Sequence, residues 1–218
     1  MNASDAQTGD LSPSKEDFCR FCRLLYDRRL AAGVGGNVAV RRGDRIWLTP
    51  TGVSLRDLHE EQIAVVDIQG TPLHGPPPTQ EADMHLGVLR ARPDVNVVCH
   101  LHGAHIIAAS LLLEPGPCTL PALTPGFVYY AFPLPMLPFK TPGSKDLATD
   151  VADTLSLRGA SAVLLQNHGL VTVGTDLREA LDIAEEIDEA AHVYLLAGGR
   201  APSIPEKDIR VLTSRRKG

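Results

Sequence analysis

Cys99-His100-Leu101-His102 holds two imidazoles two residues apart. In an extended strand such residues project to the same side, so His100 and His102 form a chelating pair suited to a borderline divalent metal. Val95, Val97, Cys99 and Leu101 then face the opposite way, into a core. A third imidazole, His168, lies in Gln166-Asn167-His168-Gly169-Leu170. A β-rich run breaks and resumes there, and Gly169 lets the backbone turn to present the ring toward a neighbouring strand end. Glu81 opens the helix preceding the His-x-His strand, and a helix start favours the carboxylate form. Three histidines and one carboxylate make a site that binds a divalent ion and exchanges a ligand for substrate.

The remaining histidines carry less. His85, one turn after Glu81, either hydrogen-bonds it or packs, and His105 is structural or supports the ligands. His59, His74 and His192 belong to the surface or to helix faces. Cys19-Arg20-Phe21-Cys22 has C-x-x-C spacing but sits in an amphipathic helix with no second pair, so a structural zinc is not expected. The glycine loop Ala32–Asn37 follows a helix and precedes a strand, the reverse of a dinucleotide fingerprint, although its N–H groups could cradle an anion.

The elements that must position these groups follow from periodicity and punctuation. A helix starts near Ser12-Pro13 or Ser14, buries Phe18, Phe21, Cys22, Leu25 and Leu30, and ends at Gly33. Strands are expected at 37–41, 45–49 and 63–68. A helix follows over 81–92, then a strand over 95–102, a helix over 103–113 and a Pro-broken stretch over 115–142. Further on come a helix at 145–158, strands at 162–166 and 170–173, and a long helix from Thr175 or Asp176 to Gly198, with Glu179 completing a capping box. The class is α/β. With 218 residues the default is one domain, spanning 13–207 between an arm at 1–12 and a basic tail at 208–218. A net charge of −5 argues against nucleic acid and anionic membranes, and no apolar run reaches membrane-spanning length. Four cysteines without a secretory leader fit the cytoplasm.

Together, Gly36-Asn37-Val38-Ala39-Val40, Leu48-Thr49-Pro50-Thr51-Gly52, Glu81 to His85, Arg92-Pro93-Asp94 with His100-Leu101-His102, and Asn167-His168-Gly169-Leu170 resemble the class II aldolase/adducin family. The resemblance runs from about Leu24 to Leu196. It implies a central, largely antiparallel sheet flanked by helices on both faces, and a homotetramer with active sites at subunit interfaces. It implies that His100, His102, His168 and Glu81 hold zinc or another divalent ion such as manganese, with Glu81 as acid/base. Asn37, Thr51 and Gly52 match phosphate-holding positions, and Thr79-Gln80 stand where many members carry Ser-Ser or Ser-Lys. The implied reaction is retro-aldol cleavage of a phosphorylated ketose, fuculose-1-phosphate-like or a deoxy-ketose 1-phosphate, through a metal-bound enediolate to dihydroxyacetone phosphate and an aldehyde. The stretch Leu123–Tyr130 looks more like tetronate-phosphate decarboxylases, so decarboxylation of a 3-oxo or hydroxylated aromatic acid is the alternative. Tyr129 or Tyr130 either donates the proton or packs at an interface. Adducin-type members that only assemble are expected to lack the metal ligands, all of which are present in this sequence.

Overall fold

The computed structural model describes residues 13–157 and 159–215. The expected arm at 1–12, and Arg158 at the expected end of a helix, lie outside these residues.

Ser14 caps α1 (Lys15–Asp27): its hydroxyl accepts from the Asp17 N–H, and Asp17 accepts from the Ser14 N–H, each at 3.1 Å. The helix ends sooner than expected, because Arg29 turns left-handed at φ 61°. Leu30 is still buried, but in the loop that follows. β1 (Asn37–Arg42), β2 (Arg45–Leu48), β3 (Ala64–Asp67) and β4 (Pro72–His74) form an antiparallel meander. α2 (Ala82–Ala91) follows the proline run, and β5 (Val97–Leu101) returns to pair with β1. α3 (Ala104–Leu112), α4 (Pro125–Tyr130), β6 (Met136–Leu137) and α5 (Lys145–Leu155) lead to the hairpin β7 (Ala162–Leu165) and β8 (Gly169–Gly174). α6 (Leu177–Leu196) and α7 (Glu206–Arg215) complete the chain.

The eight strands run in the order β4-β3-β2-β1-β5-β8-β7-β6, antiparallel except for β6 beside β7. Both outermost strands are short: β4 has three exposed residues and β6 only two residues. One face carries α1, α3, α4 and α6 through Phe18, Ile106, Phe127 and Ile183. The other carries α2 and α5 through Met84, Leu89, Leu147 and Val151. The result is a single three-layer αβα domain with two cores, which accounts for strands buried on both sides.

Four elements depart from expectation. Within the Pro-broken stretch, Thr124 caps α4, its hydroxyl accepting from the Phe127 N–H with Pro125 in the first turn. The short strands β4 and β6 also sit beside prolines. The expected tail is helical as α7 up to Arg215 and packs on α4. Val95 precedes β5 and joins the core under α2, whereas Val97, Cys99 and Leu101 face the other core. At α6 the Glu179 carboxylate reaches back to Thr175 rather than Asp176, at 2.7 Å.

Candidate metal centre

Antiparallel register sets Asn37 of β1 directly opposite His100 of β5, so both side chains project from the same face. α2 lies over that face. Its N-cap is Glu81, and His85 is one turn on, so the first turn of α2 lowers both onto the Asn37–His100 pair. His102 sits just past the end of β5, held by its N–H to the Leu30 carbonyl at 2.9 Å. His168 is presented by the β7–β8 turn, where Asn167 takes a left-handed φ of 58°. The Asn167 N–H donates to the buried Ser110 hydroxyl of α3 at 3.0 Å, which pins that turn from below.

The His100 Nε2 lies 2.8 Å from the Nε2 of His102 and 3.2 Å from that of His168. The two Glu81 oxygens stand 3.2 Å from the His100 Nε2 and 3.8 Å from the His168 Nε2. All four ligand atoms fall within 4.8 Å of one another. Tetrahedral zinc with Zn–N bonds of about 2.0–2.1 Å places its ligand atoms about 3.3 Å apart, so the spacing fits. The lone pairs fit as well. A carbonyl can only accept, so the His100 Nδ1 must donate to Leu170 O at 3.1 Å, which turns Nε2 toward the other three groups. That nitrogen faces a carboxylate oxygen, and the other Glu81 oxygen, Oε1, is buried without a hydrogen-bond partner. Electron-rich atoms crowded together this way call for a cation.

The electrostatics point the same way. Burial, with repulsion from His100, pushes the His102 imidazole down to about 3 and the His168 imidazole down to about 4. Both rings are therefore neutral near pH 7, the form that binds metal. Burial pushes the Glu81 carboxyl up, but His100 and the Asn37 amide outweigh it and hold the group well below the usual carboxylate range.

A cavity of about 310 Å³ opens beside His102 and Glu81, and the expected substrate residues Asn37, Thr51, Gly52, Thr79 and Gln80 all line it. Among the described residues, no Lys or Arg contributes to its wall. The Thr51 hydroxyl donates to the Pro78 carbonyl at 2.9 Å, and the Thr79 hydroxyl accepts from the Glu81 N–H at 3.3 Å. Asn37 is turned inward: its Nδ2 donates to Glu81 Oε2 at 2.9 Å and its Oδ1 meets the His85 Nε2. One Nδ2 hydrogen remains for a ligand. Tyr129 and Tyr130 pack edge-to-face with centroids 5.0 Å apart, and Tyr130 borders a different, acidic cavity near Arg29 and Asp188.

Some contributions were not visible in the sequence. Gly35 lets its loop lie on the His102 ring, where a Cβ would come within 2.6 Å of Nδ1. The His85–Asn37 contact joins residues from two distant elements, as does the Ser110–Asn167 bond. His105 does pair structurally, with Asp188 at 2.9 Å, and stacks on His192 at a centroid distance of 4.0 Å.

Residues 16–195 match the family described as Class II Aldolase and Adducin N-terminal domain. The chain belongs to the class II aldolase/adducin family. Among other members, it is 34% identical over 207 residues to the 3-oxo-tetronate 4-phosphate decarboxylase of Haemophilus influenzae, covering 93% of this chain and 97% of the relative. It is 35% identical over 177 residues to the L-fuculose phosphate aldolase of Methanococcus maripaludis, covering 81% and 93%. The crystal structure of YgbL from Klebsiella pneumoniae superposes with a TM-score of 0.85 at 29% identity, covering 91% of this chain and 96% of that one. As a class II aldolase/adducin chain, this protein retains the full Glu81-His100-His102-His168 group, fit for a divalent cation.

Proposed function

We propose that the protein is a metal-dependent carbon–carbon lyase that cleaves a phosphorylated ketose by retro-aldol reaction, giving dihydroxyacetone phosphate and an aldehyde. The observation that carries this reading is the unpartnered Glu81 Oε1 beside three converging imidazoles. His100, His102, His168 and Glu81 would hold zinc or manganese. Such an ion supplies a concentrated positive charge for the substrate oxygens that become electron-rich as the bond breaks. Glu81 takes the proton of the hydroxyl whose carbon becomes the aldehyde. The carbon–carbon bond then breaks, and its electron pair passes to the ketone fragment. Glu81 is held as a carboxylate and so can accept this proton, with one oxygen anchored by Asn37 and the other without a hydrogen-bond partner. Gly52, Thr79, Gln80 and the remaining Asn37 hydrogen receive the phosphate with neutral donors, joined by Thr51 once its hydroxyl turns away from the Pro78 carbonyl. Return of a proton falls to Tyr129 or Tyr130 of a neighbouring copy in a homotetramer. The four unpaired cysteines accord with a cytoplasmic setting.

Decarboxylation of a phosphorylated 3-oxo acid is the second reading. It is favoured by the near full-length similarity to the tetronate-phosphate decarboxylase. The two readings differ in product, so the test follows dihydroxyacetone phosphate from a panel of ketose 1-phosphates and carbon dioxide from 3-oxo acid phosphates. Glu81→Gln is expected to lower turnover of the true substrate by about 100-fold or more while the protein stays folded, in line with loss of a general base. His100→Ala is expected to empty the metal site. Near-normal turnover in Glu81→Gln, or full metal content in His100→Ala, would refute the assignment.

A further inference from the structure

Behind the candidate metal centre lies a strut that the proposed reaction does not use. His85 is fully buried on α2, and its Nε2 meets the Asn37 Oδ1. The Asn37 Nδ2 in turn donates to Glu81 Oε2 at 2.9 Å. The direction of the chain is forced. A carboxylate can only accept, so the Asn37 NH₂ must face Glu81, its oxygen must face His85, and the His85 Nε2 must carry the hydrogen. The amide is thus held from both ends, and Glu81 is left with one anchored oxygen and one oxygen, Oε1, without a partner toward His168. His85 and Glu81 also share the first turn of α2, while Asn37 belongs to β1. The strut therefore ties the carboxylate-bearing helix to the strand beside His100.

We infer that His85 is a positioning residue for the metal centre, acting through Asn37 to fix the orientation of the Glu81 carboxylate. The inference rests on the reading of Glu81 as a metal ligand. Its own claim is narrower: the effect of His85 on metal binding passes through Glu81 and no other ligand.

The test is a double-mutant cycle on the full-length, metal-stripped protein. Its readout is Zn²⁺ affinity measured by competition with a chromophoric chelator. His85→Leu and His85→Met remove the donor, and His85→Gln keeps an N–H. Loss of an outer partner typically weakens metal binding 10–100-fold, so Leu and Met are expected to cost about tenfold and Gln to stay within about threefold of wild type. In a Glu81→Ala background the same changes should alter Zn²⁺ affinity by less than about twofold, the limit for independent sites. A purely structural role for His85 would give the same loss in both backgrounds and overturn the inference, as would wild-type affinity in both apolar variants. Asn37→Leu cuts the strut at its other joint and must show the same dependence on Glu81, which covers the case in which no apolar His85 variant folds. Failure of the wild-type protein to bind Zn²⁺ would instead overturn the metal centre itself.

Discussion

Gly169→Ala offers a sharp test of how the strands hold the ligands. Gly169 opens β8, opposite Leu165 and beside the end of β5. A Cβ built on it would lie 2.2 Å from the Leu101 carbonyl oxygen and 2.9 Å from the His102 Cδ2. The first distance is more than 1 Å short of ordinary contact, which begins at 3.4 Å. Backbone cannot swing aside like a side-chain tip, so β5 and β8 must separate locally. Overpacking of this kind costs about 1–3 kcal/mol, or about 2–12 °C in Tm for a chain of this size. The strain falls between His102 and His168, so Zn²⁺ affinity should drop by about tenfold or more, as when ligand orientation is lost. Calorimetry and chelator competition read the two effects. Gly116→Ala is the control, since its Cβ would meet nothing within 4 Å. A Gly169→Ala protein with unchanged Tm and Zn²⁺ affinity would refute the steric account.

Two further outcomes follow from the buried groups. Burial drives the His85 imidazole down to about 3 from an ordinary value of 6.5, so the unfolded chain takes up the proton first as pH falls. Stability of the metal-stripped protein is thus fullest above pH 6.5 and declines below it, with His85 alone removing about 2 kcal/mol between pH 7 and pH 5; urea unfolding that is flat across this range would contradict the burial argument. Ser110→Ala leaves the Asn167 N–H without its 3.0 Å acceptor and should cost about 1–3 kcal/mol. It should also speed Zn²⁺ release to a chelator, because the turn that presents His168 loses its support.

The grouping of Glu81, His100, His102 and His168 was legible because their positions obey local rules. His100 and His102 follow the two-residue period of a strand, Glu81 stands at a helix start, and His168 marks a break between two β-rich runs. The elements with clear periodicity, α1, α2, α5 and α6, were legible for the same reason. What escaped was decided by tertiary contact or hidden by proline. α4 combines a threonine cap with Pro125 in a stretch whose prolines suggest irregular chain, and β6 is two residues long and defined only by its neighbour. The His85–Asn37 contact spans 48 residues and exists only because β1 pairs with β5 beneath α2. Sequence spacing pointed His85 at Glu81, one turn away on the same helix, whereas the fold offers it the amide from below.

The two ends of the sheet constrain how copies of the chain can meet. A long open margin invites another strand to zip onto it, but here one margin is a three-residue strand headed by Pro72, which has no N–H to give, and the other is two residues long. Neither offers enough backbone to recruit a neighbour's strand. Among the described residues, contacts between copies are therefore left to side chains of helices and loops, which surface substitutions can alter without disturbing the sheet.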